Sequence, residues 1–303
     1  MKVVFVSSES VPYAKIGGLA DVSGALPRIL KKKGIDIINF LPFYGQIDKI
    51  KYDFEKIREK LDISGFNERF TLLKHYNEAT NLTTYFIENE KFFNRDEIYN
   101  DYPDNPERFI FFSKCVLKSL KLIKFKPDII HCHDWQTSTI PILLKNEIFE
   151  TNFFANIKIL LTIHNLAFQG IGSKEILQKL GLDESFFVPE KLEFHEKVNL
   201  LKGGIIYSDV INTVSEKYSQ EIQTDKLSFG LKKELISKKN HIFGILNGID
   251  YKIWDPEIDT FIWKNYSFEM LENKEYNKNQ LRKELKLPLI PVPLIGMVSR
   301  ITS

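Results

Sequence analysis

Three short polar segments of the sequence contain residue types that could bind or transform a ligand, and each follows an apolar run. They are residues 15–22 (Lys-Ile-Gly-Gly-Leu-Ala-Asp-Val), 131–137 (His-Cys-His-Asp-Trp-Gln-Thr) and 162–170 (Thr-Ile-His-Asn-Leu-Ala-Phe-Gln-Gly). Ligands bind at the carboxyl ends of the strands in an open parallel sheet. We therefore expect the three segments to converge at one edge of such a sheet.

The first segment has the composition of an anion site. Gly17 and Gly18 come just before a helical pattern, where backbone N–H groups can approach a negative charge, and Lys15 adds a mobile positive charge. Glycine pairs are also common in plain turns, so both interpretations stay open for the pair alone. A dinucleotide site is not predicted, because the sequence has no Gly-x-Gly-x-x-Gly and its second apolar run ends in Pro42 rather than an acidic residue. It also has no Gly-Lys-Ser/Thr phosphate loop.

The histidines of the other two segments could line a cleft or bind a metal. His131 and His133 are two residues apart and would share one face of a strand, a spacing that zinc can use. A zinc site needs further ligands with convergent geometry, however, and the neighbouring side chains would point elsewhere. We therefore expect polar lining of a cleft and no metal. His164 alone would be weak evidence for either role.

Alternating apolar patterns indicate the elements that position these segments. Residues 3–6 form a continuous β-branched and aromatic run typical of a buried parallel strand. Residues 19–33 have the period of an amphipathic helix that ends at Gly34, and 37–41 reads as a second strand. Further strands are predicted at 70–75, 83–87, 128–133, 157–163, 210–214 and 242–246, and further helices at 106–122, 198–207 and 276–285. This order predicts an α/β fold with a doubly wound parallel sheet.

Composition restricts the class of protein. The chain has 303 residues, 43% hydrophobic and 27% charged, which excludes a disordered chain, a collagen and a disulfide scaffold. Its 42 basic and 40 acidic residues give a net charge of +2, so no overall field attracts nucleic acid or an anionic membrane. Two cysteines, a four-residue apolar run near the start and no long apolar stretch lead us to expect a soluble, cytoplasmic protein without a signal peptide or membrane span.

The last third of the chain predicts a domain boundary. Residues 264–290 are charged and rich in Asn, and prolines cluster at 288, 291 and 293 before an apolar run at 294–298. A proline-rich hinge followed by a strand is typical of the start of a new domain. We expect an N-terminal domain over 1–291 and the first strand of a truncated C-terminal domain over 292–303. The chain is then expected to be a fragment.

Together and in order, the motifs resemble the bacterial glycogen synthases and plant starch synthases. Besides the three segments above, the resemblance includes residues 197–205 (Lys-Val-Asn-Leu-Leu-Lys-Gly-Gly-Ile), 244–250 (Gly-Ile-Leu-Asn-Gly-Ile-Asp) and 296–302 (Gly-Met-Val-Ser-Arg-Ile-Thr). It covers essentially the whole chain. The resemblance implies a Rossmann-like α/β domain that forms the N-terminal half of a two-domain GT-B glycosyltransferase.

The resemblance also implies an activity. This is the retaining transfer of glucose from ADP-glucose to the non-reducing end of an α-1,4-glucan in glycogen biosynthesis, with no metal or other cofactor. The implied partners are ADP-glucose and glycogen, with neither nucleic acid nor a membrane.

The family's site residues carry over to matching positions of this sequence. The implied catalytic residues are Lys15, Asp134 and His164, and the implied donor- or acceptor-binding residues are Lys15, Gly17, Gly18, Asp21, Tyr99, Asn247 and Arg300. The cations and the glycine amides would face the diphosphate, whereas Asp134 and Asn247 would contact sugar hydroxyls. His164 would lie beside the reacting glucose.

Two departures from the family pattern affect the expected activity. Ile16 stands where the family more usually has Thr, which we expect to have a mild effect. The family's second phosphate-binding lysine and its Glu-containing C-terminal motif have no counterpart in these 303 residues, so we expect the isolated chain to be inactive.

Two alternative functions stay open. One is a non-catalytic glucan-binding remnant of such an enzyme, and the other, by analogy of fold alone, is a nicotinamide-dependent oxidoreductase.

Overall fold

The computed structural model describes residues 1–149 and 151–298 and contains two compact units. The first unit runs from Met1 to Asn247, and the second begins at Gly248. The predicted domain boundary at residue 291 stays a prediction. None of the helices in the described ranges is long and apolar enough to cross a membrane.

The strands and helices alternate over most of the first unit, and α11 lies in the second unit. The strands are β1 (Lys2–Val6), β2 (Asp36–Pro42), β3 (Glu55–Asp62), β4 (Arg69–Asn77), β5 (Leu82–Glu88), β6 (Ile129–His133), β7 (Lys158–Ile163), β8 (Ile171–Gly172), β9 (Glu193–Phe194), β10 (Lys197–Asn199), β11 (Val210–Thr213) and β12 (Ile242–Gly244). The helices are α1 (Gly18–Lys32), α2 (Glu90–Phe93), α3 (Asn105–Leu122), α4 (Asp134–Thr137), α5 (Thr139–Lys145), α6 (Thr151–Phe154), α7 (Ile176–Leu180), α8 (Leu200–Tyr207), α9 (Glu216–Glu221), α10 (Lys232–Ser237) and α11 (Glu272–Glu284).

One large sheet carries the segments that predict the site. Among the described residues it contains nine strands in the order β12-β11-β7-β6-β1-β2-β5-β4-β3. The neighbours from β12 to β5 pair in parallel, which confirms the predicted doubly wound α/β fold. β4 and β3 add an antiparallel hairpin at one edge. The sequence does not reveal β3, because its side chains are mostly charged and exposed.

The order of the strands places a topological switch beside β1. The chain adds β2 on one side of β1 and β6 and β7 on the other, so the connections leave in opposite directions there. Val6 pairs with Cys132, and Cys132 pairs with Leu161, which aligns the carboxyl ends of the three strands. The predicted convergence of the three segments is therefore confirmed, at the position where ligands bind in open α/β sheets.

Burial of apolar residues fixes these elements. Residues 3–6 of β1 are buried, as expected for a strand covered on both faces. α1 packs its apolar face on the sheet and ends before Gly34, whose φ of +85° is the left-handed value that favours glycine. Phe109 and Phe112 of α3 have no exposed surface, so this helix lies in the core.

Two local predictions need correction. The predicted helix at 198–207 begins only at Leu200, because the preceding residues form β10, which pairs with β8 and β9 in a separate small sheet. The side chain of Asn199 then caps α8 by accepting from the amide of Lys202. The position of Asn105 before Pro106 also predicts a helix cap. This prediction is wrong, because Asn105 is the first residue of α3 and its Oδ1 accepts from Arg108.

The predicted strand at 294–298 does not form. A strand needs a neighbour to satisfy its N–H and C=O groups, and among the described residues none pairs with this segment. Ile295 and Met297 are almost fully exposed instead. Within the same unit, the buried guanidinium of Arg282 donates to the carbonyl oxygens of Pro288 (2.7 Å) and Val292 (3.1 Å), which ties the proline-rich segment to α11.

Candidate functional site

Glu9 organises the loop that follows β1. Its buried carboxylate accepts through Oε2 from the amides of Ile16 (2.6 Å) and Gly17 (3.0 Å), and through Oε1 from the hydroxyl of Tyr99 (2.9 Å). Such charge-assisted hydrogen bonds are stronger than neutral ones. Sequence reasoning missed Glu9, although its position just after the first buried strand was a usable signal. It also missed that the amide of Gly17, predicted to face an anion, already has a carboxylate partner.

The structure brings Lys15 and Asp21, two predicted site residues, into contact. Lys15 Nζ lies 2.7 Å from Asp21 Oδ1, and the two side chains are 47% and 39% exposed. An ion pair so exposed contributes little to stability, so Lys15 can exchange this partner for another anion at small cost.

The surface above the two glycines is open. A Cβ atom added at Gly17 or Gly18 would meet no heavy atom within 4 Å in the described structure. α1 begins at Gly18, so the positive end of its dipole faces this space. The open surface, the helix start and Lys15 together suit a ligand with negative charge.

Asp134 lies directly after β6 in a strained conformation. Its φ of +54° is in the left-handed region, which is uncommon for a residue other than glycine and concentrates at functional sites. Its Oδ1 accepts from the amides of His164 (2.7 Å) and Asn165 (3.4 Å), which links the end of β6 to the end of β7. These bonds hold the carboxyl group and the His164 backbone in one arrangement.

Burial raises the pKa of Asp134 to about 7, although the two amide hydrogen bonds lower it. The negative charge of Glu9, which follows β1, also raises the pKa of Asp134. The proton of Asp134 can therefore be gained or lost near neutral pH.

The histidines form two hydrogen-bonded groups. His133 Nδ1 lies 3.0 Å from His164 Nε2. His131 Nε2 lies 2.6 Å from Thr162 Oγ1, which in turn donates to Asn212 Oδ1 at 2.5 Å. Sequence reasoning missed Thr162 and Asn212, because nothing in their spacing shows that they share a hydrogen-bond network.

Burial makes all three imidazoles neutral at pH 7. Desolvation lowers the pKa of His131 to about 3 and that of His164 to about 4, and it lowers the pKa of His133 well below its usual value. Among the described residues, no group of three or more His, Cys, Asp or Glu side chains could hold a metal ion. The imidazoles act in this site as neutral hydrogen-bonding groups.

The loop after β7 is fixed by buried amides. The side chain of Gln169 donates to the carbonyl oxygen of Phe229 at 3.0 Å and accepts from Asn199 at 2.6 Å. Gly170 lies against Trp135, where a Cβ would come within 2.2 Å of the indole ring. Glycine is therefore required at position 170, and the loop that contains His164 has little freedom.

The remaining predicted site residues are Tyr99, Asn247 and Arg300. Tyr99 is half-buried, and its hydroxyl lies 2.6 Å from Ser8 Oγ besides contacting Glu9. Asn247 is exposed beyond β12, and within the described ranges no hydrogen bond joins it to the other predicted residues. Arg300 lies outside the described residues.

Comparison with known proteins identifies the relatives of this fold and site. The profile of the family described as "Starch synthase catalytic domain" matches residues 2–237. The glycogen synthase of Geotalea daltonii is 46% identical over 308 residues, covering all of this chain and 63% of that protein. The glycogen synthase of Thermosipho melanesiensis is 41% identical, covering 99% of this chain and 63% of that protein.

One solved structure supports the same relationship. It is the catalytic domain of starch synthase IV from Arabidopsis thaliana bound to ADP and acarbose, which is 33% identical with a TM-score of 0.86, covering 96% of this chain and 60% of that one. The fold predicted for the N-terminal half of a GT-B enzyme is thereby confirmed. The chain spans about 63% of the length of the curated relatives described above. By its sequence profile and its fold, the chain belongs to the starch synthase catalytic domain family.

Proposed function

We propose that this chain supplies the N-terminal part of a glycogen synthase, a retaining glycosyltransferase. The proposed reaction moves glucose from ADP-glucose to the non-reducing end of an α-1,4-glucan. The observation that carries the proposal is the convergence of the Lys15 loop, Asp134 and His164 at the ends of β1, β6 and β7. The family match and the ADP and acarbose bound to the solved relative support it.

In the proposed reaction, the bond between glucose C1 and the diphosphate oxygen breaks, and a bond from C1 to the acceptor O4 forms on the same face. The acceptor hydroxyl gives its proton to the departing phosphate oxygen, so ADP is released. Negative charge develops on the diphosphate, where fixed donors and cations stabilise the transition state. We propose Lys15 and the start of α1 at Gly18 for this role, with Arg300 as a further cation; the exposed position of Lys15 supports the proposal. No metal or cofactor is part of the proposal.

The part of the site proposed to bind glucose needs groups that do not repel the positive charge that develops on the glucose ring. As the C1–oxygen bond breaks, the glucose ring becomes oxocarbenium-like, and a cationic imidazole beside it would oppose this change. The lowered pKa of His164 keeps its ring neutral, and the Asp134 carboxyl group can bind sugar hydroxyls. Asn247 is proposed to contact sugar hydroxyls, and Asp21 and Tyr99 to contact donor or acceptor.

An extended chain tests the proposal. We would join this chain after residue 303 to the remaining C-terminal part of the Geotalea daltonii glycogen synthase and assay glucose transfer from labelled ADP-glucose to glycogen. We expect transfer by the chimera, with EDTA having no effect, and none by the 303-residue chain alone. The intact Geotalea enzyme is the positive control. Transfer by the chain alone, or a folded chimera that binds glycogen without transfer, would contradict the proposal, and the second result would favour a glucan-binding remnant.

We also propose a cytoplasmic location. Cys115 and Cys132 are buried free thiols, which suit a reducing compartment. Localisation of a tagged chain by fluorescence microscopy tests this.

A further inference from the structure

The contact between His133 and His164 joins two neutral rings through one hydrogen bond. The nitrogens are 3.0 Å apart, and burial keeps both rings uncharged. A neutral imidazole has one N–H donor and one acceptor nitrogen, so one ring must donate and the other accept. Which ring donates determines the nitrogen of His164 that carries its proton.

The surroundings of His133 restrict its ring. The side chain is fully buried, and its ring centroid lies 4.2 Å from that of Phe5 and 4.2 Å from that of His131. This packing holds the ring plane, and the contact with His164 Nε2 requires that a nitrogen rather than a carbon of the His133 ring faces it. The other ring nitrogen, Nε2, is also buried and has no hydrogen-bond partner in the described structure.

Because His133 Nε2 has no hydrogen-bond partner among the described residues, one tautomer of this ring is favoured. A proton on Nε2 would be a buried donor without an acceptor, whereas a proton on Nδ1 lies in the hydrogen bond and leaves only a lone pair unpaired. Orphaned buried N–H groups are rarer in proteins than under-satisfied acceptors. His133 therefore donates through Nδ1–H, and His164 accepts through Nε2.

We propose that His133 is a positioning residue that fixes the tautomer of His164. With Nε2 accepting from His133, His164 carries its proton on Nδ1, which is the ring nitrogen left to donate to a sugar hydroxyl. This role in catalysis rests on the proposed function, but the tautomer itself does not. No contact between His133 and the substrate is involved.

His131 supplies an internal reference for the proposal. Thr162 donates its hydroxyl proton to Asn212 Oδ1, so His131 Nε2 must donate to Thr162 Oγ1. His131 is therefore the Nε2–H tautomer, whereas His133 and His164 are Nδ1–H tautomers. Neighbouring buried histidines thus differ in a measurable property.

Solution NMR tests the tautomers on the 303-residue chain. Long-range ¹H–¹⁵N spectra of ¹⁵N-histidine-labelled protein at pH 7 distinguish protonated from unprotonated ring nitrogens. We expect Nδ1–H for His133 and His164 and Nε2–H for His131, with assignments from single histidine variants. An Nε2–H tautomer of His164, or a mixture of the two, would overturn the proposal whether or not the chimera is active.

Two variants separate positioning from packing. His133→Asn keeps an N–H donor near the Nδ1 position, whereas His133→Phe keeps a ring in the stack but removes the donor. We expect His133→Asn to keep His164 in the Nδ1–H tautomer and His133→Phe to allow both tautomers of His164. In the chimera, His133→Phe should lower kcat about 3- to 10-fold, the effect of one hydrogen bond, with KM for ADP-glucose little changed and kcat recovered by His133→Asn.

A purely structural role predicts the reverse order, because Phe fills the buried space better than Asn. Circular dichroism and melting curves on each variant show whether it is folded. If His133→Phe does not fold, the tautomers of the unmodified chain still decide the proposal. Equal or better turnover with Phe than with Asn, in folded variants, would overturn it.

Discussion

The two halves of the candidate site differ in how tightly their charged groups are held. On the side proposed to bind the diphosphate (the phosphate side), Lys15 and Asp21 form an exposed ion pair beside open space. On the side proposed to bind the glucose (the sugar side), the Asp134 carboxyl group accepts a hydrogen bond from the backbone amide of His164, and Asp134 is buried in a strained conformation. The difference indicates that the phosphate side can exchange partners when a ligand arrives, whereas the sugar side is set before binding. Preorganised groups of the second kind need no rearrangement during reaction.

The largest expected effect comes from removing the side chain of Lys15 or of His164 in the chimera. Lys15→Ala and His164→Ala should each lower kcat strongly, with Lys15→Ala costing about 100- to 1,000-fold, the range found for a lost charge-stabilising donor. Lys74→Ala is the matched control, because it removes the lysine of another ion pair, 2.7 Å from Glu55 in the antiparallel hairpin at the sheet edge. Initial rates at saturating ADP-glucose measure the effect, and circular dichroism checks the fold. Near-normal turnover in both alanine variants would show that the site residues are wrongly assigned.

The second prediction concerns the pH dependence that buried Asp134 gives to stability. Its pKa in the folded state, about 7, is above its ordinary value of 3.8, so between these values the folded state binds more protons than the unfolded state. This contribution makes the free energy of unfolding fall as pH rises from about 4 to 7. Asp134→Asn removes the effect, so the variant should gain stability relative to the unmodified chain by up to about 4 kcal/mol above pH 7 and little at pH 4.

Denaturant unfolding of the 303-residue chain at pH 4, 5.5, 7 and 8 measures this difference. The variant is compared with the unmodified chain at each pH because His131 and His164 act in the opposite direction. Their pKa values are lowered, so their contribution to stability falls as pH drops below about 6.5. A stability difference that does not grow with pH would show that Asp134 titrates like an exposed carboxyl group.

A third prediction concerns Glu9, which holds the loop that follows β1. Glu9→Ala leaves the amides of Ile16 and Gly17 and the Tyr99 hydroxyl without their acceptor. We expect a loss of about 1–3 kcal/mol in the free energy of unfolding, since buried donors become unpaired. Glu9→Gln should lose less because its amide oxygen still accepts. Unfolding midpoints that match the unmodified chain would show that water replaces the carboxylate without cost.

The smallest effect is expected for the exposed pair. Asp21→Asn should change the free energy of unfolding by about 0.5 kcal/mol or less, because solvent screens exposed charges. Denaturant unfolding in low and high salt measures it. A loss as large as that for Glu9→Ala would show that the exposed ion pair is held as tightly as the buried hydrogen bonds of Glu9.

The sequence predicted the parts of the fold that depend on local patterns. Residues 3–6 and Gly34 mark a buried strand and a helix end without reference to the rest of the chain, and both predictions are confirmed. The convergence of Asp134 and His164 also followed, because parallel strands end at the same edge. Strand β3 was missed, and the strand predicted at 294–298 does not form, because pairing depends on distant neighbours rather than on composition.

The contacts inside the site were less accessible to sequence reasoning. Nothing in the spacing of Glu9 and Tyr99 shows that they meet, and the orientation of His133 depends on the packing of Phe5 against it. The family resemblance supplied the residues at the site, but not which of them hold one another. Such contacts arise only when the sheet and helices are assembled.

The contact between Glu9 and Tyr99 has a consequence for how the protein folds. The two residues are 90 positions apart, so bringing them together requires closing a long loop of chain. The full set of hydrogen bonds to Glu9 is therefore complete only when the segment before α3 lies against the residues that follow β1. Amide hydrogen exchange at Ile16 and Gly17 should then report the opening of that contact, although both residues belong to the first 20 positions of the chain.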